Sequence, residues 1–221
     1  MIQPSFFNFL AKLEVNNSKQ WFDQNRNDYE LNVKKPFEDV VEVLGNEISK
    51  FDNEITTDYR KNIFRINRDI RFAKDKTPYK TNRSVAYSPH GKKDAGAPGY
   101  YVELGINKCY LAGGAWCPSS DHLFKIRQEI HYNSAEFNSL ANDPVFIKNL
   151  GGIQGKKAIK IPKEITEWVS SSNYMMNKEF YFIKEFDVEL VFKPDFVACI
   201  AKWLHSGYEI NRFFRRAMSA I

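Results

Sequence analysis

The sequence predicts an α+β protein, a mainly antiparallel sheet flanked by N-terminal and C-terminal helices. Three observations carry this reading. Apolar residues recur at helical spacing in the first third of the chain, alternate two by two between turn residues in the middle, and return to helical spacing towards the end. Helices, strands and helices thus follow one another in blocks, the order of α+β rather than of alternating α/β chains. One domain over residues 1–221 is expected, with a helical part at 1–52, a β-rich core carrying a basic motif at 60–116, and mixed helices and strands at 119–221.

Each element has its own signal. Pro4 and Ser5 precede the helical stretch FFNFLAKLEV. Asn17 and Ser18 are placed to cap a second helix, SKQWFDQNRNDYELNVKK, with Trp21, Phe22, Asn25 and Tyr29 at helical spacing. Pro36 opens a third helix whose stripe is Phe37, Val40, Val41, Leu44 and Ile48. From Phe64 to Phe72 the pattern alternates. Phe64, Ile66, Arg68, Ile70 and Phe72 share one face of the expected strand, and Arg65, Asn67, Asp69 and Arg71 the other. A turn through Lys74–Pro78 leads to the short strand SVAYS, and PHGKKDAGAPG reads as a polar loop. GYYVELGI and CYLAGGAW, joined at Asn107–Lys108, form an antiparallel hairpin over 99–116. DHLFKIRQEIHY is an amphipathic helix, and Asn133 with Glu136 has the spacing of a capping box for the next one. KAIKIP and EFYFIKEFDVEL read as strands, and one last helix runs from Pro194.

Composition narrows the classes of function. At 43% hydrophobic and 15% aromatic residues, the chain can build a sizeable core, which excludes wholesale disorder. No apolar run approaches the ~20 residues of a membrane helix, and the N-terminus has no signal-peptide pattern. Three widely spaced cysteines, Cys109, Cys117 and Cys199, fit a reducing, cytoplasmic setting better than a disulfide framework. The net charge of +5 is unevenly spread. Arg60, Lys61, Arg65, Arg68, Arg71, Lys74, Lys76, Lys80, Arg83, Lys92 and Lys93 face only Asp69 and Asp75 between residues 60 and 93, and the rest of the chain is net negative. A local field of this kind concentrates anions.

The densest stretch, RINRDIRFAKDKTPYK at 65–80, reads as a site for an anion. An aspartate between two arginines fixes guanidinium forks, which suit bidentate capture of phosphate or carboxylate. The candidate ligand-binding residues are Arg65, Arg68, Asp69, Arg71, Lys76 and Tyr79. The competing reading is a structural ion-pair network. Arg68, on the apolar face, is expected to hold an internal carboxylate or to line a cavity, because a buried charge must be paired. Glu103, the lone acid of the hairpin, is a partner for an arginine or a general base, and Trp21 is a cover for the site or, by the usual role of tryptophan, a core residue.

The pattern R-x-x-R-D-x-R-F-x-x-x-K-x-P-Y, filled here by Arg65, Arg68, Asp69, Arg71, Phe72, Lys76, Pro78 and Tyr79, resembles the signature of the domain of unknown function 2461 family. NNSKQWFDQNRNDYE, PGYYVELGINKCYLAGGAWCP and HLFKIRQEI are also similar to segments of that family, so the resemblance covers most of the chain. It implies a soluble, single-domain α+β protein and carries over no catalytic residue.

Other chemistry finds little support in the residues. His90, His122, His131 and His205 lack metal-ligand spacing, and no paired Cys/His motif exists. No phosphate-binding loop, dinucleotide fingerprint or nucleophile elbow is present, so neither a cofactor nor a metal is expected. Gly113–Gly114 is a bulge, a strand end or a point of ligand approach, and Cys117 reads as an inert thiol. Three functions stay open: binding of a phosphate- or carboxylate-bearing small molecule, nucleic-acid binding through the 60–93 segment, and a non-catalytic interaction module with an acidic partner. Asp69 within the patch would repel a phosphate backbone, which favours the first. Nothing in the residues sets the reaction type or the oligomeric state.

Overall fold

The structure, a computed structural model, describes residues 1–56, 58–93, 96–160 and 163–219. Its frame is a four-stranded antiparallel sheet in the order β1 (Asn82–Tyr87), β2 (Gly99–Gly105), β3 (Cys109–Ala115), β4 (Phe180–Phe186). The β2–β3 hairpin lies where the alternation of residues 99–116 predicts it. At its far end Gly114 takes a φ of 96°, which a side chain rarely adopts, and its N–H turns out of the ladder to Asn211 Oδ1 at 2.9 Å.

One face of the sheet meets helices. α1 (Pro4–Val15), α2 (Lys19–Gln24), α3 (Arg26–Tyr29) and α4 (Lys35–Ser49) come first in the chain. Tyr87 donates to the Val41 carbonyl of α4 at 2.9 Å. α5 (Ser120–Tyr132), α6 (Ser134–Ala141) and α7 (Pro144–Leu150) follow β3, and α8 (Val188–Val191), α9 (Phe196–His205) and α10 (Tyr208–Ser219) close the chain. Phe182 meets Phe146 of α7, Phe186 meets Trp203 of α9, and Phe180 meets Phe214 of α10, with ring centroids 5.6, 6.2 and 5.5 Å apart. Burying these rings is the main drive for the layer. The other sheet face carries the half-buried Tyr101, Glu103, Tyr110, Ala112, Tyr181 and Ile183.

Several expectations are corrected. Residues 64–72 are not a strand. The expected second helix is broken at Asn25, and a π-helical turn, Glu30–Lys34, joins it to α4. Pro36 explains the turn: it has no N–H and its ring crowds the preceding carbonyls, so the wider turn, closed by Lys35 N–H on Glu30 O, accommodates it. Asn133 makes no capping bond, since its side chain reaches back to Glu129 at 3.0 Å. KAIKIP gives only the isolated bridge Lys157↔Asn177, and its residues 161 and 162 lie outside the described ones. The strand expected over 179–190 ends at Phe186 and gives way to α8, and the last helix is divided into α9 and α10. Among the described residues no helix is long and apolar enough to cross a membrane.

Candidate functional site

The basic motif folds as an irregular hairpin beside β1. Phe64 N–H donates to Ser84 O at 2.9 Å, Lys80 N–H to Ile66 O at 2.8 Å, and Arg68 N–H to Pro78 O at 2.8 Å. Two aspartates bend what lies between. Asp69 Oδ1 accepts the backbone N–H of Arg71 at 3.3 Å, and Asp75 Oδ1 that of Thr77 at 2.9 Å. Such side-chain turns compete with a strand ladder, which is why the alternation of residues 64–72 produces no strand. Phe72, expected on the apolar face, is 95% exposed at the tip.

Most of the motif's charge is spent inside the loop. The Arg71 guanidinium binds Asp69 through Nε at 3.0 Å and Nη2 at 2.6 Å. Arg68 binds Asp75 and the Thr77 hydroxyl, and its side chain is 27% exposed, so it is neither buried in the core nor paired with an internal carboxylate. Lys76 Nζ donates to Ile70 O at 2.9 Å. Arg71's bonds hold the Asp69 carboxyl down at about 2, and the Thr77 N–H, with Arg68 and the Thr77 hydroxyl, holds Asp75 at about 2. Tyr79 belongs to the core. Its ring stacks on Phe22 at 4.1 Å, and the Asn17 side chain accepts its N–H at 3.0 Å and donates to its carbonyl at 2.9 Å. Asn17 therefore anchors the hairpin, and Ser18 alone caps α2, accepting from Trp21 N–H.

Three motif cations stand apart. Arg65 and Lys74 are exposed and Lys80 is half-buried, and none has an ion pair among the described residues. Lys80 Nζ sits 5.4 Å from the centre of the Phe64 ring, and burial lowers its pKa, with Glu103 opposing and Arg83 and Arg65 reinforcing the shift. Phe64 packs edge-on to Tyr101 at 6.0 Å, and Tyr101 lies 5.6 Å from Tyr110. Lys80, Phe64, Tyr101 and Tyr110 thus form one corner of the half-buried sheet face.

Glu103 is central to that corner. It accepts from Asn82 Nδ2 at 3.0 Å, Tyr101 at 2.6 Å and Tyr110 at 3.2 Å. A carboxylate so engaged fixes two phenols rather than standing ready as a base, and no motif arginine pairs with it. Burial first, then the Glu103 charge, pushes the Tyr110 phenol up to about 12; burial and its bond to Glu103 raise Tyr101 as well. Trp21 packs 5.6 Å from Phe9 at the core edge, not over the motif. His131 hydrogen-bonds Ser171 Oγ at 2.6 Å and stacks on Trp168. No cluster of metal-ligating side chains occurs among the described residues. Two surface hollows, of about 370 Å³ at the β2–β3 turn and about 490 Å³ beside Lys157, Lys160 and Lys178, are lined by no motif residue.

The most buried charge among the described residues, Asp52, escaped the sequence reading. Arg215 of α10 grips fully buried Asp52 with both ends of its fork, one contact at 2.8 Å, and Tyr100 donates to the same carboxylate at 2.8 Å. Arg215 Nε adds the Pro98 carbonyl at 3.1 Å, so α10, the end of α4 and β2 are locked together. The partners are 163 positions apart, and no local pattern announces them.

Compared with known proteins, residues 5–213 match the model of a family described as conserved hypothetical protein (DUF2461). No curated protein and no solved structure matches the chain.

Proposed function

The chain belongs to the DUF2461 family of conserved hypothetical proteins, and from that premise we propose that it binds a small molecule bearing a phosphate or carboxylate group, at the corner between the motif hairpin and the half-buried sheet face. One observation carries the reading. Arg68, Arg71 and Lys76 are held by the loop's own oxygens, whereas Arg65 and Lys80 are left without an ion pair among the described residues, within electrostatic reach of each other. The internal pairs stiffen the loop; Lys74, also without an ion pair among the described residues, lies on the loop, and Arg65 and Lys80, which act on each other, supply the attraction at the corner. Phe64, Tyr101 and Tyr110 beside them suit the apolar body of such a ligand, with the phenols pinned by Glu103.

Phe72 favours a second reading. An aromatic ring 95% exposed, with the Arg71 guanidinium 6.0 Å from its centre, is the kind of platform on which a nucleic-acid base stacks. Both readings meet one test, a thermal-shift screen with phosphorylated metabolites, carboxylates, nucleotides and short oligonucleotides at two salt concentrations. A small-molecule site shows as a stabilisation of wild type that Arg65→Ala and Lys80→Met lose and Phe72→Ser keeps. Stabilisation by oligonucleotides that falls steeply with salt and is lost in Phe72→Ser supports the second reading instead.

A further inference from the structure

We propose that Arg83, Lys92 and Asn62 form a recessed oxyanion subsite, matched to a phosphate group, on the helix side of the hairpin's root. It is a separate position from the corner of Arg65 and Lys80 and stands without it.

Segment 62–64 runs along the free edge of β1, with Ile63 bridged to Val85 and Phe64 N–H on Ser84 O. Its carbonyls meet two cations. Arg83 Nη1 donates to Phe64 O at 2.9 Å, and Lys92 Nζ, from the turn after β1, donates to Ile63 O at 2.6 Å. Neither has a carboxylate within ion-pair distance among the described residues; Glu30 and Glu38 act on Arg83 only from further off. Arg83 is 4% exposed, its guanidinium 5.6 Å from the centre of the Phe37 ring, so this is a buried charge facing an aromatic ring and a neutral carbonyl. Such charges are normally paired, because desolvation costs several kcal/mol, on the order of what a counter-ion returns. The same molecule follows the rule elsewhere, where Arg215 is closed by Asp52.

Two further donors complete the cluster. Arg83 Nε has no hydrogen-bond partner, and neither has Asn62 Nδ2, in a side chain 6% exposed. The amide cannot be turned to remove the second orphan, because its oxygen accepts Lys92 N–H at 3.3 Å. Buried donors left unpaired are rare and call for an acceptor. A guanidinium, an ammonium and an amide, all donors, with two positive charges and no negative one among the described residues, select a dianion with several acceptor oxygens. Burial, then mutual repulsion, lowers the pKa of Lys92, as burial does that of Arg83, which a bound dianion would reverse. Arg127 is also buried, with no carboxylate paired to it among the described residues and its Nε unpartnered, but no second cation acts on it.

The test is the thermal midpoint of the intact protein in inorganic phosphate, acetate and chloride at one ionic strength. Wild type should gain a midpoint rise specific to phosphate that grows with its logarithm. Arg83→Met, shape-matched and neutral, should fold at least as well as wild type in chloride and lose that rise. Lys92→Met, at a partly exposed position, should weaken it, and Arg65→Ala/Lys80→Met should keep it, which separates this subsite from the corner site. General salting effects are common to all variants and cancel in the comparison. A wild-type rise no larger in phosphate than in chloride overturns the subsite. So does a rise matched by acetate, or one that survives in Arg83→Met or, should that variant not fold, is undiminished in Lys92→Met.

Discussion

Two arginines of this protein, each bonded to an aspartate, should respond very differently to the same substitution. Arg215 is 8% exposed and its partner Asp52 not at all. Arg215→Ala leaves a fully buried carboxylate with the Tyr100 hydroxyl and the Glu54 N–H but no cation, and frees the Pro98 carbonyl, and breaking a buried pair in this way costs about 3–5 kcal/mol. For a chain of this length each kcal/mol moves the midpoint by about 2–4 °C, so a loss of roughly 6–20 °C is expected. Arg68 and Asp75 are 27% and 60% exposed. Their pair is worth about 0–1 kcal/mol at most, and Arg68→Ala should move the midpoint by no more than about 4 °C. Urea unfolding followed by far-UV circular dichroism measures both. Equal costs for the two variants, or a cost below about 1 kcal/mol for Arg215→Ala, would refute the distinction between an internal clamp and a solvated loop pair. As a further check, Asp52→Leu/Arg215→Met should recover much of the loss, since apolar replacement of both partners removes the stranded charge.

Other consequences can be checked separately. Asp69 and Asp75, at about 2 in the folded protein, should titrate below the ordinary aspartate range in carbon-detected NMR. Because their folded pKa values are depressed, whatever stability they lend is present above about pH 4 and lost as pH falls towards 2, and titration near 3.9 would contradict the loop pairs. Asn17→Ala removes both bonds to the Tyr79 backbone and should cost about 1–3 kcal/mol, with faster amide exchange across residues 66–80; unchanged exchange would mean that Asn17 does not anchor the hairpin. Phe72→Ser should leave stability within about 0.5 kcal/mol, and a larger loss would show the ring packed rather than exposed. The Tyr110 phenol, pushed up to about 12, should stay un-ionised in an absorbance titration through pH 10, and a Tyr110 phenolate at pH 10 would contradict its burial beside Glu103.

Local periodicity made much of the fold legible. The hairpin of residues 99–116 and α5 lie where alternation and amphipathic spacing predict them, because strand and helix periods hold wherever one side of the segment packs on a core. Residues 64–72 carry the same alternation, yet Asp69 and Asp75 satisfy the backbone locally and the chain leaves the sheet. Arg68 was misplaced by the same error, since face assignment holds only inside a strand. The basic motif itself is visible in the sequence as charge density, but which cations are consumed and which stay free depends on loop geometry. Glu103 could be singled out as the one acid of the hairpin, whereas its role as an anchor for Tyr101 and Tyr110 needed the register of β2 against β3. Asp52 with Arg215, and Arg83 with Lys92 and Asn62, join distant positions or depend on burial, which no single-sequence pattern encodes.

The most direct test of the anion site is equilibrium binding by calorimetry. Wild type and Arg65→Ala/Lys80→Met would each be titrated with the phosphorylated or carboxylated metabolite that most stabilises wild type. A site at the hairpin corner predicts one saturable binding event that changes little between low and physiological salt and that the double variant lacks with its fold intact. Equal binding by both proteins, or no binding by either, would contradict that site and leave the motif as scaffold.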